Sequence, residues 1–210
     1  MYLDGIKKEF VTHVIPFWQN MKDAENGGYY GELDFELKLN KKAEKGCILN
    51  SRIMWFFANA YLTFGVDDYA KYAKHAFEFM KKYCIDNVNG GVYWSVTYDG
   101  KVADSTKHTY NQAFAIYALS SYYDAFKDKE ALKIAYKLFD VIECKCRDKD
   151  GYLEAFTEDF KPESKNTIEL YMNEGWQFSF RIHNASTIVE PSLKFDIQIE
   201  GMPTSIISIN

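Results

Sequence analysis

The chain has 210 residues, of which 47% are apolar and 26% are charged, and its formal net charge is −5. This length is enough for one domain whose core buries roughly 70% of the surface of the unfolded chain. The excess of acidic residues argues against a nucleic-acid partner, because phosphate binding requires a basic surface. No stretch approaches about eighteen consecutive apolar residues, so no membrane span is expected.

The cysteines give no sign of a disulfide framework or of a zinc site. Their positions are 47, 84, 144 and 146, and no histidine near Cys144-x-Cys146 completes a ligand set. The N-terminal sequence MYLDGIKKEF lacks the charged and apolar regions of a secretory signal. We therefore expect a cytoplasmic protein with reduced thiols and with neither metal nor cofactor.

The first half of the chain contains two kinds of predicted helix. Apolar residues at steps of three and four predict a helix over residues 2–21 that kinks or ends near Pro16. Residues 23–46 alternate between apolar and polar types, which predicts a hairpin or an extended flap. A nearly all-apolar helix should run from about 48 to 64, followed by a half-polar helix over 67–84.

The same order returns in the next part of the chain. The Asp99-Gly100 pair is flanked by alternating residues and predicts a hairpin turn. A second nearly all-apolar helix is predicted over 106–126, and a second half-polar helix over 129–145.

A glycine-containing aromatic turn marks each unit of this repeat. It occurs as Asn26-Gly27-Gly28-Tyr29, Asn89-Gly90-Gly91-Val92 and Asp150-Gly151-Tyr152, a period of about sixty residues. Helix pairs that repeat in this way bury their apolar faces against neighbouring copies. We therefore predict an all-α fold, an α/α toroid whose apolar helices line a central cavity, with the hairpins gathered at one mouth.

The amino-acid composition of the chain changes after Ser164. Residues 165–210 are rich in Ser, Thr and Ile, and the segment FDIQIE (195–200) alternates like a strand. We interpret residues 1–164 as a partial toroid domain and residues 165–210 as an irregular or strand-like tail.

A charged residue on an apolar helix is the first candidate for chemistry. Arg52 stays ionised at any physiological pH, so it needs either a ligand or a buried structural salt bridge, and its position is compatible with both. The cluster Lys107-His108-Thr109-Tyr110-Asn111-Gln112 opens the other apolar helix and offers hydroxyl, amide and imidazole groups, unless these only cap the helix.

Other polar residues have weaker claims. His13 and His75 are expected to be structural or solvated, and His183 lies in the atypical tail. Asp99 and Asp104 could serve a glycosidase, which needs two carboxylates, but Asp99 is better explained as a turn residue. Motifs for acyl transfer, nucleotide hydrolysis and dinucleotide binding are missing from the sequence.

Several strings resemble the N-acylglucosamine 2-epimerase superfamily, and within it the cellobiose 2-epimerases. They are ENGGYYGELDFELKLNKKAEKG (25–46), SRIMWFFANAY (51–61), NGGVYWSVTYDGK (89–101), KHTYNQAFAIYALSSYY (107–123) and GYLEAF (151–156). The resemblance runs from the N-terminus to about Ser164. It implies an (α/α)6 barrel, of which this chain carries the first half.

The resemblance also implies an activity. Such enzymes invert C2 of the reducing-end glucose of β-1,4-linked disaccharides, such as cellobiose or lactose, through a ring-opened cis-enediolate. By position, Arg52 resembles the arginine that steadies the enediolate, and Tyr110 resembles a sugar-contacting tyrosine. The candidate substrate-binding residues are therefore Arg52, Trp55, His108, Tyr110 and Asn111.

The chain also departs from the family pattern. In the family, the two histidines that transfer the C2 proton lie in the second half of a longer chain, and none of the histidines here occupies a matching motif. The acid/base histidines are thus expected to be absent from this chain. Three hypotheses remain: a truncated epimerase, a catalytically silent or sugar-binding half-barrel that ends in unrelated residues, and an α/α-barrel glycan hydrolase. An incomplete barrel would also favour self-association.

Overall fold

The structure consists of helices joined by short antiparallel strand pairs and glycine-containing loops. In this computed structural model the described residues are 2–149, 151–163, 168–173, 177–182, 193–197 and 205–209. The helices are α1 (Tyr2–Glu9), α2 (Ile15–Asn20), α3 (Cys47–Phe64), α4 (Asp67–Phe79), α5 (Thr109–Phe126) and α6 (Lys129–Val141). Turns of π-helix follow α1, α4 and α6, at Phe10–Val14, Met80–Cys84 and Ile142–Cys146. None of the described helices is long and apolar enough to cross a membrane.

The strands of the helical part are only two or three residues long. They are β1 (Lys45–Gly46), β2 (Ser95–Val96), β3 (Val102–Asp104), β4 (Lys107–His108) and β5 (Ala155–Phe156), with β2 between β1 and β3, and β4 paired to β5. In the tail, β6 (Ile168–Asn173) pairs with β7 (Gln177–Ile182), and β8 (Leu193–Ile197) pairs with β9 (Ser205–Ile209).

The helices pack in the order expected of an α/α toroid. The nearly all-apolar helix α3 packs against both α4 and α5, and α5 packs against α6. The core between them is rich in aromatic residues and alanine, for example Phe57, Phe77 and Ala118. Helix α3 ends at Gly65, whose left-handed conformation lets its N–H donate to Tyr61 O at 2.8 Å.

Two helix boundaries differ from the predicted ones for local reasons. The first helical stretch passes Pro16 without ending, because a π-helical turn lies directly before α2 and Pro16 falls in the first turn of α2. Helix α5 begins at Thr109 rather than near residue 106, because Lys107 and His108 pair with Phe156 and Ala155.

The segment predicted as a hairpin or flap forms less regular structure than expected. Over residues 23–44 only isolated bridges occur among the described residues, such as Leu33 with Leu39. The hairpin predicted around Asp99-Gly100 is confirmed: β2 and β3 flank a turn in which Thr97 N–H donates to Lys101 O at 2.7 Å.

Helices α3 and α5 are apolar nearly all round, yet each leaves one face open. On α3 this face carries Arg52 and Trp55, and on α5 it carries Tyr110, Phe114 and Tyr117. These positions are three or four residues apart, so they lie in line along each helix. Helices α3 and α5 therefore form a wall: one side packs in the core, and the other side faces an open groove.

The repeat has a structural basis in two buried ion pairs. Lys45 Nζ donates to Asp23 Oδ2 at 2.7 Å, and Lys107 Nζ donates to Asp86 Oδ2 at 2.9 Å, with all four side chains fully buried. Each lysine stands just before an inner helix, and each aspartate begins a glycine-containing loop. The ion pairs thus fix these loops against the helix starts.

Candidate functional site

The groove in front of α3 and α5 contains the arginine that the sequence singled out. Arg52 is exposed, and its guanidinium carbon lies 5.4 Å from the centroid of the Phe114 ring on α5. It borders a cavity of about 260 Å³ that Trp18, Leu49 and Trp55 also line. Within the described part of the chain, Arg52 makes no hydrogen bond or ion pair, so the structural salt bridge considered above is not observed there. Its donors are available to a ligand.

Aromatic side chains connect the two helices across the groove. Trp55 on α3 stacks on Tyr117 on α5, with ring centroids 5.1 Å apart and an interplanar angle of 22°. Tyr117 is 48% exposed and Tyr110, two turns earlier on the same face, is 39% exposed. Large exposed rings beside a cation are suited to a sugar, whose apolar ring face stacks while its hydroxyls take hydrogen bonds.

A second aromatic group lies at the start of α5. The His108 ring is 4.5 Å from that of Trp94, and Tyr110 meets Trp94 edge-on at 5.8 Å. Burial raises the pKa of Tyr110, and the nearby charge of Glu154 acts in the same direction. The Tyr110 hydroxyl is therefore a protonated donor at neutral pH.

Asn111 lies behind this group rather than in the open groove. It is fully buried and donates from Nδ2 to Tyr93 O at 2.9 Å, while its Oδ1 makes no hydrogen bond in the described residues. Its amide thus holds the second aromatic loop against α5.

Sequence reasoning missed Glu154, which contacts three successive residues at the start of α5. Its Oε1 lies 3.4 Å from His108 Nδ1, its Oε2 accepts from Tyr110 N–H at 3.2 Å, and its carbonyl accepts from Thr109 N–H at 2.9 Å. The repeat itself could have pointed to Glu154. When the repeat units are aligned in sequence with Gly151 on Gly91, Glu154 takes the position of Trp94 in the preceding unit.

The other candidates lie outside the groove or in local turns. His13 is exposed beside Glu9, and His75 Nε2 contacts the carbonyls of Asp23 and Gly28 at 3.0 and 2.9 Å, so both are structural or solvated as predicted. His183 lies outside the described residues.

The two carboxylates considered for a glycosidase are bound in turns. Asp99 accepts from Thr97 Oγ1, and Asp104 accepts from the N–H and hydroxyl of Thr106. They give the hydrolase alternative no support.

Comparisons with known proteins identify relatives for most of the chain. A profile of the N-acylglucosamine 2-epimerase family matches residues 17–172. The cellobiose 2-epimerase of Ruminococcus albus is 55% identical over 161 residues, which are 77% of this chain and 41% of that enzyme. A sugar epimerase from a ruminal bacterium has a crystal structure that matches with a TM-score of 0.77 and 53% identity, over 80% of this chain and 43% of that one. These matches confirm the predicted fold class and the resemblance.

A different relative matches the last part of the chain. A profile of the HaeIII restriction endonuclease matches residues 151–203. The type II restriction enzyme HaeIII of Haemophilus aegyptius is 72% identical over 51 residues, which are 24% of this chain and 16% of that enzyme. The chain thus spans about two fifths of the curated epimerases that it matches and about a sixth of the restriction enzyme.

Proposed function

Because the chain belongs to the N-acylglucosamine 2-epimerase family, we propose that it is the substrate-binding portion of a carbohydrate epimerase of the cellobiose 2-epimerase type. Its substrate would be a β-1,4-linked disaccharide such as cellobiose or lactose, inverted at C2 of the reducing-end glucose. The observation that carries the proposal is Arg52, an exposed guanidinium that makes no hydrogen bond or ion pair within the described residues and lies 5.4 Å from the centroid of the Phe114 ring.

The groove supplies what this reaction needs for its charged intermediate. Removing the C2 proton from the ring-opened sugar places negative charge on the enediolate oxygens. A fixed cation beside those oxygens stabilises the transition state more than the ground state. Arg52 is suited to this role because its charge does not depend on pH, while Trp55 and Tyr110 would hold the sugar ring in place.

Proton transfer is the part of the reaction that the described residues do not supply. Among the histidines in the described residues, His13 contacts Glu9, His75 contacts the carbonyl of Asp23, and His108 lies beside Trp94, and none of them lines the cavity next to Arg52. We therefore assign the proton-transferring histidines to the part of the epimerase length that this chain does not span. On this account the chain binds the disaccharide, and turnover requires the remaining helix pairs.

Replacing Arg52 tests the proposed role. The variant Arg52→Met is expected to bind cellobiose about tenfold more weakly or worse, because it loses a charge-assisted hydrogen bond. Binding is measured by the fluorescence of the chain during a cellobiose titration. The matched control is Arg147→Met, since Arg147 is exposed and paired with Glu143 away from the groove. Equal affinities for the two variants would contradict the role of Arg52.

The restriction-enzyme match supports the predicted change of sequence character after Ser164. We propose that residues 1–164 and 165–210 are segments of different origin, because the epimerase profile ends at residue 172, the endonuclease profile begins at residue 151, and the change of composition after Ser164 lies within this overlap. The match covers only 16% of the restriction enzyme, so we do not extend that enzyme's activity to this chain. Sequencing the genomic DNA across codon 164 tests the boundary. If the epimerase-like and endonuclease-like segments belong to separate genes in related genomes, the proposal is supported. If related genomes always encode the two segments joined in the same way, the proposal is contradicted.

The open faces of the helices favour self-association. Large apolar side chains are exposed on α1 and on α6, among them Leu3, Ile6, Tyr136 and Phe139. Patches of this kind are normally covered by a partner. Sedimentation velocity should show species larger than a monomer whose fraction rises with protein concentration. A single monomeric species at all concentrations would rule this out.

A further inference from the structure

The imidazole of His108 lies against a carboxylate in a largely enclosed position. The side chains of His108 and Glu154 are each only 17% exposed, and His108 Nδ1 is 3.4 Å from Glu154 Oε1. Nδ1 is buried and makes no hydrogen bond within the described part of the chain, so the approach of Glu154 Oε1 at 3.4 Å is a charge contact, and no hydrogen bond of these residues involves Nε2 either. The two ring nitrogens therefore have different surroundings, one facing a carboxylate and the other available.

The carboxylate decides which nitrogen carries the proton. A neutral imidazole has one N–H donor and one lone-pair acceptor. An Nδ1 lone pair beside an ionised carboxylate would be repelled, whereas an Nδ1–H is attracted to it. This favours the tautomer with the proton on Nδ1 and leaves Nε2 as an acceptor.

Glu154 is held firmly enough to impose this choice. Its Oε2 accepts the Tyr110 N–H at 3.2 Å, and its carbonyl accepts the Thr109 N–H at 2.9 Å. The next residue, Ala155, pairs with His108 in the β4–β5 ladder. A carboxylate tied to a strand and to a helix start loses little freedom when it orients a neighbour.

The surroundings of His108 indicate what Nε2 would meet. The ring lies 4.5 Å from Trp94 and 5.8 Å from Tyr110, which is 39% exposed. A pyranose ring seated on these aromatic side chains would bring its hydroxyl groups to the edge of the imidazole.

We propose that Glu154 is a positioning residue that holds His108 in the Nδ1–H tautomer, so that Nε2 accepts a hydrogen bond from a hydroxyl of the bound sugar. The proposal deepens the proposed function and rests on it for the identity of the ligand. It places Glu154, a residue of the third repeat unit, in the same binding site as His108 and Tyr110, which follow the aromatic turn of the second repeat unit.

Substituting Glu154 by glutamine should reverse the tautomer. In Glu154→Gln the amide oxygen can take over the bond from Tyr110 N–H, which turns the NH₂ group toward His108 Nδ1. Nδ1 must then accept, so the proton moves to Nε2. Histidine side-chain ¹⁵N spectra of the whole chain report this directly at about pH 8.5, well above the ordinary histidine pKa. The control is Glu158→Gln, an exposed position in the following turn, which should keep the original spectrum.

A cellobiose titration in the same spectra completes the test. We expect Nδ1–H in the unsubstituted chain, Nε2–H in Glu154→Gln, and a cellobiose-dependent change of the His108 Nε2 signal that is several-fold weaker in the variant. Nε2–H in the unsubstituted chain, or an unchanged tautomer in the variant, overturns the role of Glu154. Cellobiose that shifts signals of Arg52 and Trp55 but not of His108 overturns the sugar contact alone. No response of any signal contradicts the proposed function itself.

Discussion

Replacing Lys107 by methionine is expected to lower the free energy of unfolding by about 3–5 kcal/mol. Lys107 and Asp86 are both fully buried, so the variant leaves a charged carboxylate in the interior without its cation. Asp86 keeps its hydrogen bonds from Val88 N–H and Asn89 N–H, at 2.8 and 3.0 Å, which limits the loss. Urea denaturation at pH 7, followed by circular dichroism, measures the effect.

The pH dependence of stability gives a second readout of the same ion pair. Burial by itself raises the pKa of Asp86, but hydrogen bonds from Asn89 N–H, Lys107 and Val88 N–H outweigh it and lower the pKa to about 2. Since this is below the unfolded value of 3.8, the stabilisation is complete above about pH 4 and is lost as the pH falls through about 2. In Lys107→Met the pKa of Asp86 rises, so the acid-dependent loss becomes smaller.

Two further variants separate the ion pair from simple packing. Adding Asp86→Asn to Lys107→Met removes the stranded charge and should recover part of the lost stability. Lys133→Met, at an exposed position on α6, should change stability by no more than about 0.5 kcal/mol. A loss below about 1 kcal/mol for Lys107→Met would show that the buried ion pair does not hold the loop.

Replacing Gly28 by alanine should destabilise the first aromatic loop by about 3–5 kcal/mol. Gly28 has φ +66°, which is unfavourable for a residue with a Cβ. That Cβ would also lie 2.6 Å from Phe79 Cγ and 2.7 Å from Asn50 Oδ1. Because Asn50 Oδ1 accepts the Tyr29 N–H at 2.9 Å, the clash also disturbs the hydrogen bond that attaches the loop to α3.

Gly65 is a matched control for this prediction. It has the same φ of +66°, but no atom lies within 4 Å of a Cβ built there. Gly65→Ala should therefore show only the backbone cost of about 1–2 kcal/mol. Thermal or urea unfolding of the two variants separates the steric contribution from the conformational one. Equal losses would mean that the loop moves away from Phe79 at little cost.

Much of the fold follows from local patterns that the sequence displays directly. The period of the glycine-containing turns predicts the repeat, and the spacing of apolar residues predicts α3 nearly to its observed ends and the start of α4 at Asp67, while the predicted end at Cys84 includes the π-helical turn Met80–Cys84. The helix positions depend on neighbours within one or two turns of helix, and the repeat is found by comparing turns about sixty residues apart. The open faces of α3 and α5 could not be predicted in this way, because a side chain facing a groove and one facing the core are both apolar here.

The candidate site likewise contains one residue that the sequence predicts and one that it does not. Arg52 is visible in the sequence, because a permanent charge on an apolar helix is out of place wherever the helix lies. Glu154 is not visible, since its importance comes from contacts with His108 and Tyr110, residues more than forty positions earlier. Local sequence patterns cannot predict contacts between residues so far apart in the chain. Only the alignment of the repeat units indicates that the position of Glu154 matters.

The central claim is that the wall formed by α3 and α5 binds the reducing-end sugar of a disaccharide. Its most direct test is a cellobiose titration of the unsubstituted chain, with the NMR signals of the Arg52 guanidinium and the Trp55 indole followed together. The account predicts saturable shifts of both signals with one dissociation constant, and their loss in Arg52→Met. Signals that stay unchanged at saturating cellobiose, or shifts confined to side chains outside the groove, would contradict it.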